Sequence, residues 1–141
     1  MEDIYDVTII GGGPSGLYSA FYAGLRDLKT KIIEYKSTLG GKLHIYPEKI
    51  IWDIGGLPAT PAQQVMENLI EQGLTFNPTV CLNTKVDFVT KKGDVFVIET
   101  STGEKHFSKK VVVAVGGGII SPIKLYVEGA EKYEVSNLHY T

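Results

Sequence analysis

Apolar residues change their spacing several times along this chain, and each change marks an element. Residues 6–10, "DVTII", put Val7, Ile9 and Ile10 into five positions, the pattern of a buried strand. Beyond a glycine-rich stretch, Leu17, Ala20, Phe21, Gly24, Leu25 and Leu28 recur at helical spacing. Pro14 stands near the start of that helix, where a missing N–H costs least. Residues 30–35, "TKIIEY", read as a second strand. The three elements make a βαβ unit, for which a parallel strand pair with a right-handed crossover is the default.

Residues 36–59 keep no clean period and read as a long, structured loop. Its content of Ile, Leu, Tyr and Trp favours a functional loop over a disordered one. A helix is predicted next, with Thr60 as N-cap, Pro61 in the first helical position and Gln63 completing a capping box. Ala62, Val65, Met66, Leu69 and Ile70 form its apolar face, and Gly73 is a stop signal. The pattern then shortens. "TVCLN", "KVDFVT", "DVFVIET" and "KHFS" read as strands, and the turn signals "KKG" and "STG" predict a three-stranded antiparallel β-meander. Residues 111–115 read as a further buried strand running into Gly116–Gly118. No internal repeat is visible. The expected fold class is α/β: a Rossmann-like parallel sheet plus the meander.

Composition narrows the partners. The 141 residues carry a net charge of −2 and no long basic run, so nucleic acid or an anionic membrane has no electrostatic support. The pairs Lys91–Lys92 and Lys109–Lys110 are expected at solvated strand ends. Glu2, Asp3 and Asp6 occupy the place of a basic signal-peptide region, and the apolar run at 111–127 is interrupted by glycines, Pro122 and Lys124, so neither a secretory signal nor a membrane span is expected. Cys81, the only cysteine, excludes an internal disulfide and fits a reducing cytosol, which makes a cytoplasmic location the expectation. His44, His106 and His139 are dispersed, with no metal-ligand spacing among them and Cys81.

Glycine changes the picture most. Eleven of the 16 glycines fall in four clusters, at 11–13 with 16, 40–41, 55–56 and 116–118. Gly11, Gly13 and Gly16 match G-x-G-x-x-G, a weak string alone but here placed after a strand, at the opening of a helix and within a βαβ unit. In that setting the first glycine permits the tight turn, the second lets backbone approach a pyrophosphate, and the third lets helix and strand pack closely. Phosphates would sit at the helix N-terminus, near Pro14 and Ser15. Glu34 follows Gly16 by eighteen residues, at the end of the second strand. An acid there accepts hydrogen bonds from a ribose 2′-hydroxyl and repels a 2′-phosphate, so the site reads as one for the ADP half of FAD or NAD.

At this point the sequence resembles a family. "IIGGGPSG", "IIEY…LGGKL", "IYPEKIIWDIGGLP" and "AVGGG" closely resemble the thioredoxin-reductase-like ferredoxin/flavodoxin–NADP reductases of bacteria, essentially over the whole chain. "YPEK" is the most specific of these motifs. The resemblance implies FAD in this domain, with Gly11, Gly13, Pro14, Ser15 and Gly16 at the pyrophosphate and Glu34 at the adenosine ribose. It implies that Gly41 and Lys42 wrap the flavin end; the family usually has glutamine at the second of these, and a lysine adds charge beside the flavin. It implies that Tyr46 stacks on the isoalloxazine ring, that the Val86 backbone approaches the adenine, and that Ile120 lies near the cofactor. The run at Gly116 resembles the turn that closes the last strand of the family's FAD domain, which implies that backbone passes beside the dinucleotide there.

The family's second G-x-G-x-x-G and its returning G-D segment are absent, so the chain reads as the incomplete N-terminal part of a two-dinucleotide-domain flavoprotein. The expected division is an FAD-binding part at 1–118 and a crossover segment at 119–141 leading to an NADPH-binding domain. The resemblance implies electron transfer between NADPH and ferredoxin or flavodoxin by a full-length homodimer, the 141-residue chain alone being inactive. The other readings are the FAD part of a thioredoxin-reductase-type disulfide reductase and a non-catalytic dinucleotide-binding module. No catalytic side chain is expected, because a flavin carries the chemistry itself.

Overall fold

The computed structural model describes residues 3–119, 124 and 126–134. The expected βαβ unit is formed by β1 (Ile4–Ile10), α1 (Pro14–Gly24) and β2 (Thr30–Ile33), with β1 and β2 parallel and Ile9 opposite Ile32. The long loop contains a 3₁₀ turn, Gly41–His44, and a short strand, β3 (Ile50–Ile51), which pairs antiparallel with β4 (Thr60–Pro61) just beyond the loop. Helix α2 (Ala62–Leu74) follows, then β5 (Thr79–Cys81), β6 (Val86–Lys92), β7 (Val95–Thr100) and β8 (Lys105–Val113). One six-stranded sheet runs in the order β5-β2-β1-β8-β7-β6. Its first four strands are parallel neighbours, and β8, β7 and β6 form the antiparallel meander.

Two expected strands are therefore one. "KHFS" and the valine run form a continuous β8, whose start pairs antiparallel with β7 (Ile98 opposite His106) and whose end pairs parallel with β1 (Ile10 opposite Val113). Lys109–Lys110 lies within this strand rather than at its end, and Lys109 pairs with Asp6 at 2.7 Å. The valine run is also less buried than its composition suggests. Val112 and Val113 are exposed, because this end of β8 borders the cleft described below.

Both faces of the sheet carry a core. Val7, Ile9 and Ile32 face Leu17 and Ala20 of α1, with Leu69, Ile70 and Leu74 of α2 packed against them. Ile10 and Ile33 meet Ile98 on the other face, with Cys81, Val86 and Val111 around them. The helices touch closely: a Cβ at Gly73 would lie 2.9 Å from Leu17 Cδ2. Gly73 is thus a contact residue inside α2, not its stop. The capping box does not form either. Pro61 is the N-cap residue, the Thr60 hydroxyl donates to the Pro58 carbonyl, and the first N–H groups of α2 donate to loop carbonyls, Ala62 to Lys49 at 2.8 Å and Gln63 to Pro47 at 2.9 Å. The long loop itself caps the helix, which fixes the path of residues 47–49.

Candidate dinucleotide site

At the carboxyl ends of β1, β2 and β8 the chain leaves the sheet in three directions, and a cleft of about 1140 Å³ opens between them. This is where open parallel sheets bind ligands. Its floor is the turn from β1 into α1. Gly11 has φ +110, and a Cβ there would lie 2.3 Å from the Ala114 carbonyl oxygen, so glycine is required both for the turn and for the approach of β8. A Cβ at Gly16 would lie 1.9 Å from the Gly11 oxygen, so the third glycine is what lets α1 sit down on β1. Pro14 has no N–H, so Ser15 and Gly16 bring the first free N–H groups of α1 to the end of the helix nearest the cleft.

The segment after β2 closes one wall. Gly40 N–H donates to the Gly12 carbonyl at 2.8 Å, and Gly41 packs so tightly on Gly13 that a Cβ at Gly41 would lie 2.8 Å from Gly13 Cα. His44 holds the 3₁₀ turn by a 2.7 Å contact from Nε2 to the Leu39 carbonyl. Glu34 is 8% exposed, and its carboxylate is engaged by protein atoms: Gly12 N–H donates to Oε2 at 2.6 Å and Lys36 N–H to Oε1 at 2.8 Å. The spacing rule found this residue, but neither of these bonds could be read from the sequence. The opposite wall is the turn after β8, where Gly116 has φ +57. Lys42 reaches over to it, its Nζ 3.2 Å from where a Gly117 Cβ would stand.

The structure gathers most of the sequence-derived residues. Gly11, Gly13, Pro14, Ser15 and Glu34 line the cleft, as do Gly41, Lys42, Val86 and Gly116. Gly16 lies beneath it in the helix–strand contact. Tyr46 is half exposed in the long loop and does not line the cleft. Ile120 lies outside the described residues. Tyr35, Thr84 and Lys85 line the cleft without having been singled out; Thr84 and Lys85 come from the turn ahead of β6, where the Thr84 N–H donates to the Glu34 carbonyl. Among the described residues no group of His, Cys, Asp or Glu could hold a metal ion, and no helix is long and apolar enough to cross a membrane.

Away from the cleft, a buried polar group lies beneath the meander. Lys31 Nζ contacts His106 Nδ1 at 3.1 Å and stands over the Tyr5 ring at 4.2 Å. Burial, and then the charge of Lys31, push the His106 imidazole below its ordinary range, with Glu104 acting weakly in the opposite sense.

The family model for pyridine nucleotide-disulphide oxidoreductases matches residues 5–141. The chain belongs to this family. Among other members, it is 62% identical to ferredoxin–NADP reductase 3 of Lysinibacillus sphaericus, over all of this chain and 40% of that protein. It is 60% identical to ferredoxin–NADP reductase 1 of Bacillus thuringiensis, over 99% of this chain and 40% of the relative. This member of the pyridine nucleotide-disulphide oxidoreductases therefore spans about 40% of the length of those relatives. Similar solved structures include the thioredoxin reductase of Streptococcus pyogenes, with a TM-score of 0.72 and 26% identity over 94% of this chain and 41% of that one. The bacillithiol disulfide reductase of Staphylococcus aureus gives 0.69 and 25%, over 93% of this chain and 43% of that one.

Proposed function

We propose that this chain is the FAD-holding part of a flavoprotein that passes electrons between NADPH and ferredoxin or flavodoxin. The observation that carries the reading is the cleft itself: a glycine cradle at the N-terminus of α1, an acid at the end of β2 and a volume of about 1140 Å³, roomy enough for an extended dinucleotide. Identity of 60–62% to ferredoxin–NADP reductases, against 26% to a thioredoxin reductase, favours this electron partner over a disulfide.

The residues present fit FAD. The cradle where Gly41 meets Gly13 would be filled by a Cβ, and the first N–H groups of α1 suit a pyrophosphate. Glu34 would accept the adenosine ribose hydroxyls, using lone pairs left free by its two backbone bonds. Val86 would lie along the adenine, Gly41 and Lys42 would wrap the flavin end, and the Gly116 turn would let backbone pass beside the dinucleotide. Tyr46 would stack on the ring once the long loop folds inward, and Ile120 would lie near it. When bound, the flavin supplies the chemistry, accepting hydride and releasing electrons singly. The chain's own contribution is to bind, orient and shield it. Residues 1–118 would form the FAD part and 119–141 the crossover toward an NADPH-binding domain, in a cytoplasmic homodimer.

The test is to purify the full-length protein and measure its flavin spectrum and its NADPH-dependent reduction of ferredoxin and flavodoxin. A bound flavin with turnover of either acceptor is expected. A flavin with turnover only of disulfides would transfer the assignment to the thioredoxin reductases, and the absence of any flavin would leave a dinucleotide-binding module.

A further inference from the structure

Both carboxylate oxygens of Glu34 already bind protein, apart from any ribose they would meet. Oε2 accepts the Gly12 N–H at 2.6 Å and Oε1 the Lys36 N–H at 2.8 Å, both as short as bonds to an ionised acceptor are expected to be. Gly12 is held from its other side as well, its carbonyl accepting the Gly40 N–H at 2.8 Å. The residue between these anchors, Leu39, fills the space above Gly12, with its Cδ2 2.4 Å from where a Cβ would stand. The middle of the glycine turn is thus clasped by residues 34–40, and a buried carboxylate supplies one side of the clasp.

We infer that Glu34 is a positioning residue for the phosphate-binding turn, holding Gly12 in its binding conformation independently of any ribose contact. The physical reason is the donor count. Gly12 is buried and precedes Gly13, the N-cap of α1, so no helical carbonyl serves its N–H, and a buried N–H without an acceptor is costly. A carboxylate satisfies both amides at once. A glutamine cannot: one arm of its amide is a donor, and it would face either Gly12 or Lys36 donor to donor. Loss of that bond frees the turn, and a turn that must be ordered by the ligand binds it less tightly.

The inference rests on the reading that the cleft accepts an ADP moiety, and the experiment separates the two. The full-length protein, stripped of flavin, is titrated with ADP and with 2′,3′-dideoxy-ADP, as wild type and as Glu34→Gln. The dideoxy nucleotide has no ribose hydroxyl for Glu34 to contact. The clasp predicts that Glu34→Gln weakens dideoxy-ADP by about tenfold or more, the effect of losing a bond to a charged group. Weakening of ADP alone, with dideoxy-ADP unchanged, would overturn the inference and leave Glu34 a ribose ligand only. A second measurement needs no variant: in wild type the Gly12 amide should exchange with solvent far more slowly than that of exposed Gly55. Equal rates would overturn the clasp. If wild type binds neither nucleotide, the ADP reading fails, and amide exchange alone decides whether the clasp exists.

Discussion

Replacing Gly16 with alanine isolates one requirement of the fold, the seating of α1 on β1. In an open helix the change would stabilise by up to about 1 kcal/mol through propensity. Here the new Cβ would lie 1.9 Å from the Gly11 carbonyl oxygen, 3.0 Å from its carbon and 3.3 Å from Ile9 Cγ2. Ordinary contact needs roughly 3.5 Å, so the start of α1 would have to retreat by about 1.5 Å. Overpacking against backbone sits at the upper end of about 1–3 kcal/mol, and the retreat also loosens the fully buried Leu17. The expected net loss is about 2–4 kcal/mol, against a total stability of about 5–15 kcal/mol. Urea unfolding followed by far-ultraviolet circular dichroism is the assay, because Trp52, at 75% exposure, reports little of the core. Gly117→Ala is the control: its Cβ would meet only the flexible tip of Lys42, so it should stay within about 0.5 kcal/mol of wild type. Equal midpoints for the two variants would refute the reasoning.

Other expectations concern single side chains. The depressed His106 means that, below about pH 6.5, the unfolded chain binds a proton that the folded chain resists. Stability is therefore full above that pH and falls as acid is added, by at most about 1.4 kcal/mol per pH unit; His106→Gln should flatten melting temperature between pH 6.5 and 5. Asp3 and Asp6 are lowered by hydrogen bonds from Lys29 and Lys109, so their loss belongs to a separate window below pH 3.8. In the full-length flavoprotein, Lys42→Gln should lower the flavin midpoint potential by about 30 mV, read by dye equilibration, since a cation favours the more negative reduced ring; no shift would place the ammonium away from it. Tyr46→Ala should brighten flavin fluorescence in the same protein, and unchanged quenching would remove Tyr46 from the ring.

The local patterns carried the βαβ unit, the glycine turn and the placement of Glu34, because each depends on neighbours within one supersecondary unit. Contacts between distant segments were not legible. Nothing in "TPAQ" says that Pro47 and Lys49 will cap α2 in place of a capping box, or that Gly73 serves Leu17. The joining of "KHFS" to the valine run was hidden by Lys109–Lys110, which reads as a solvated strand end until Asp6 is brought alongside. Burial of 111–115 was overestimated for a related reason: apolar residues that line an open cleft have the same composition as a core strand.

The shared strand β8 has a consequence for biosynthesis. β1 is a central strand, but only its β2 side can pair early; its other side waits for a partner about one hundred residues later, Ile4 for Phe107 and Ile10 for Val113. At translation speeds of about 5–20 residues per second, that side stays open for roughly 5–20 s. For this interval the nascent chain displays an apolar, unpaired strand margin of the kind that recruits other chains. Closure of the sheet is then a long-range, slow event, and a nascent chain that stalls before residue 105 has no native way to cover it.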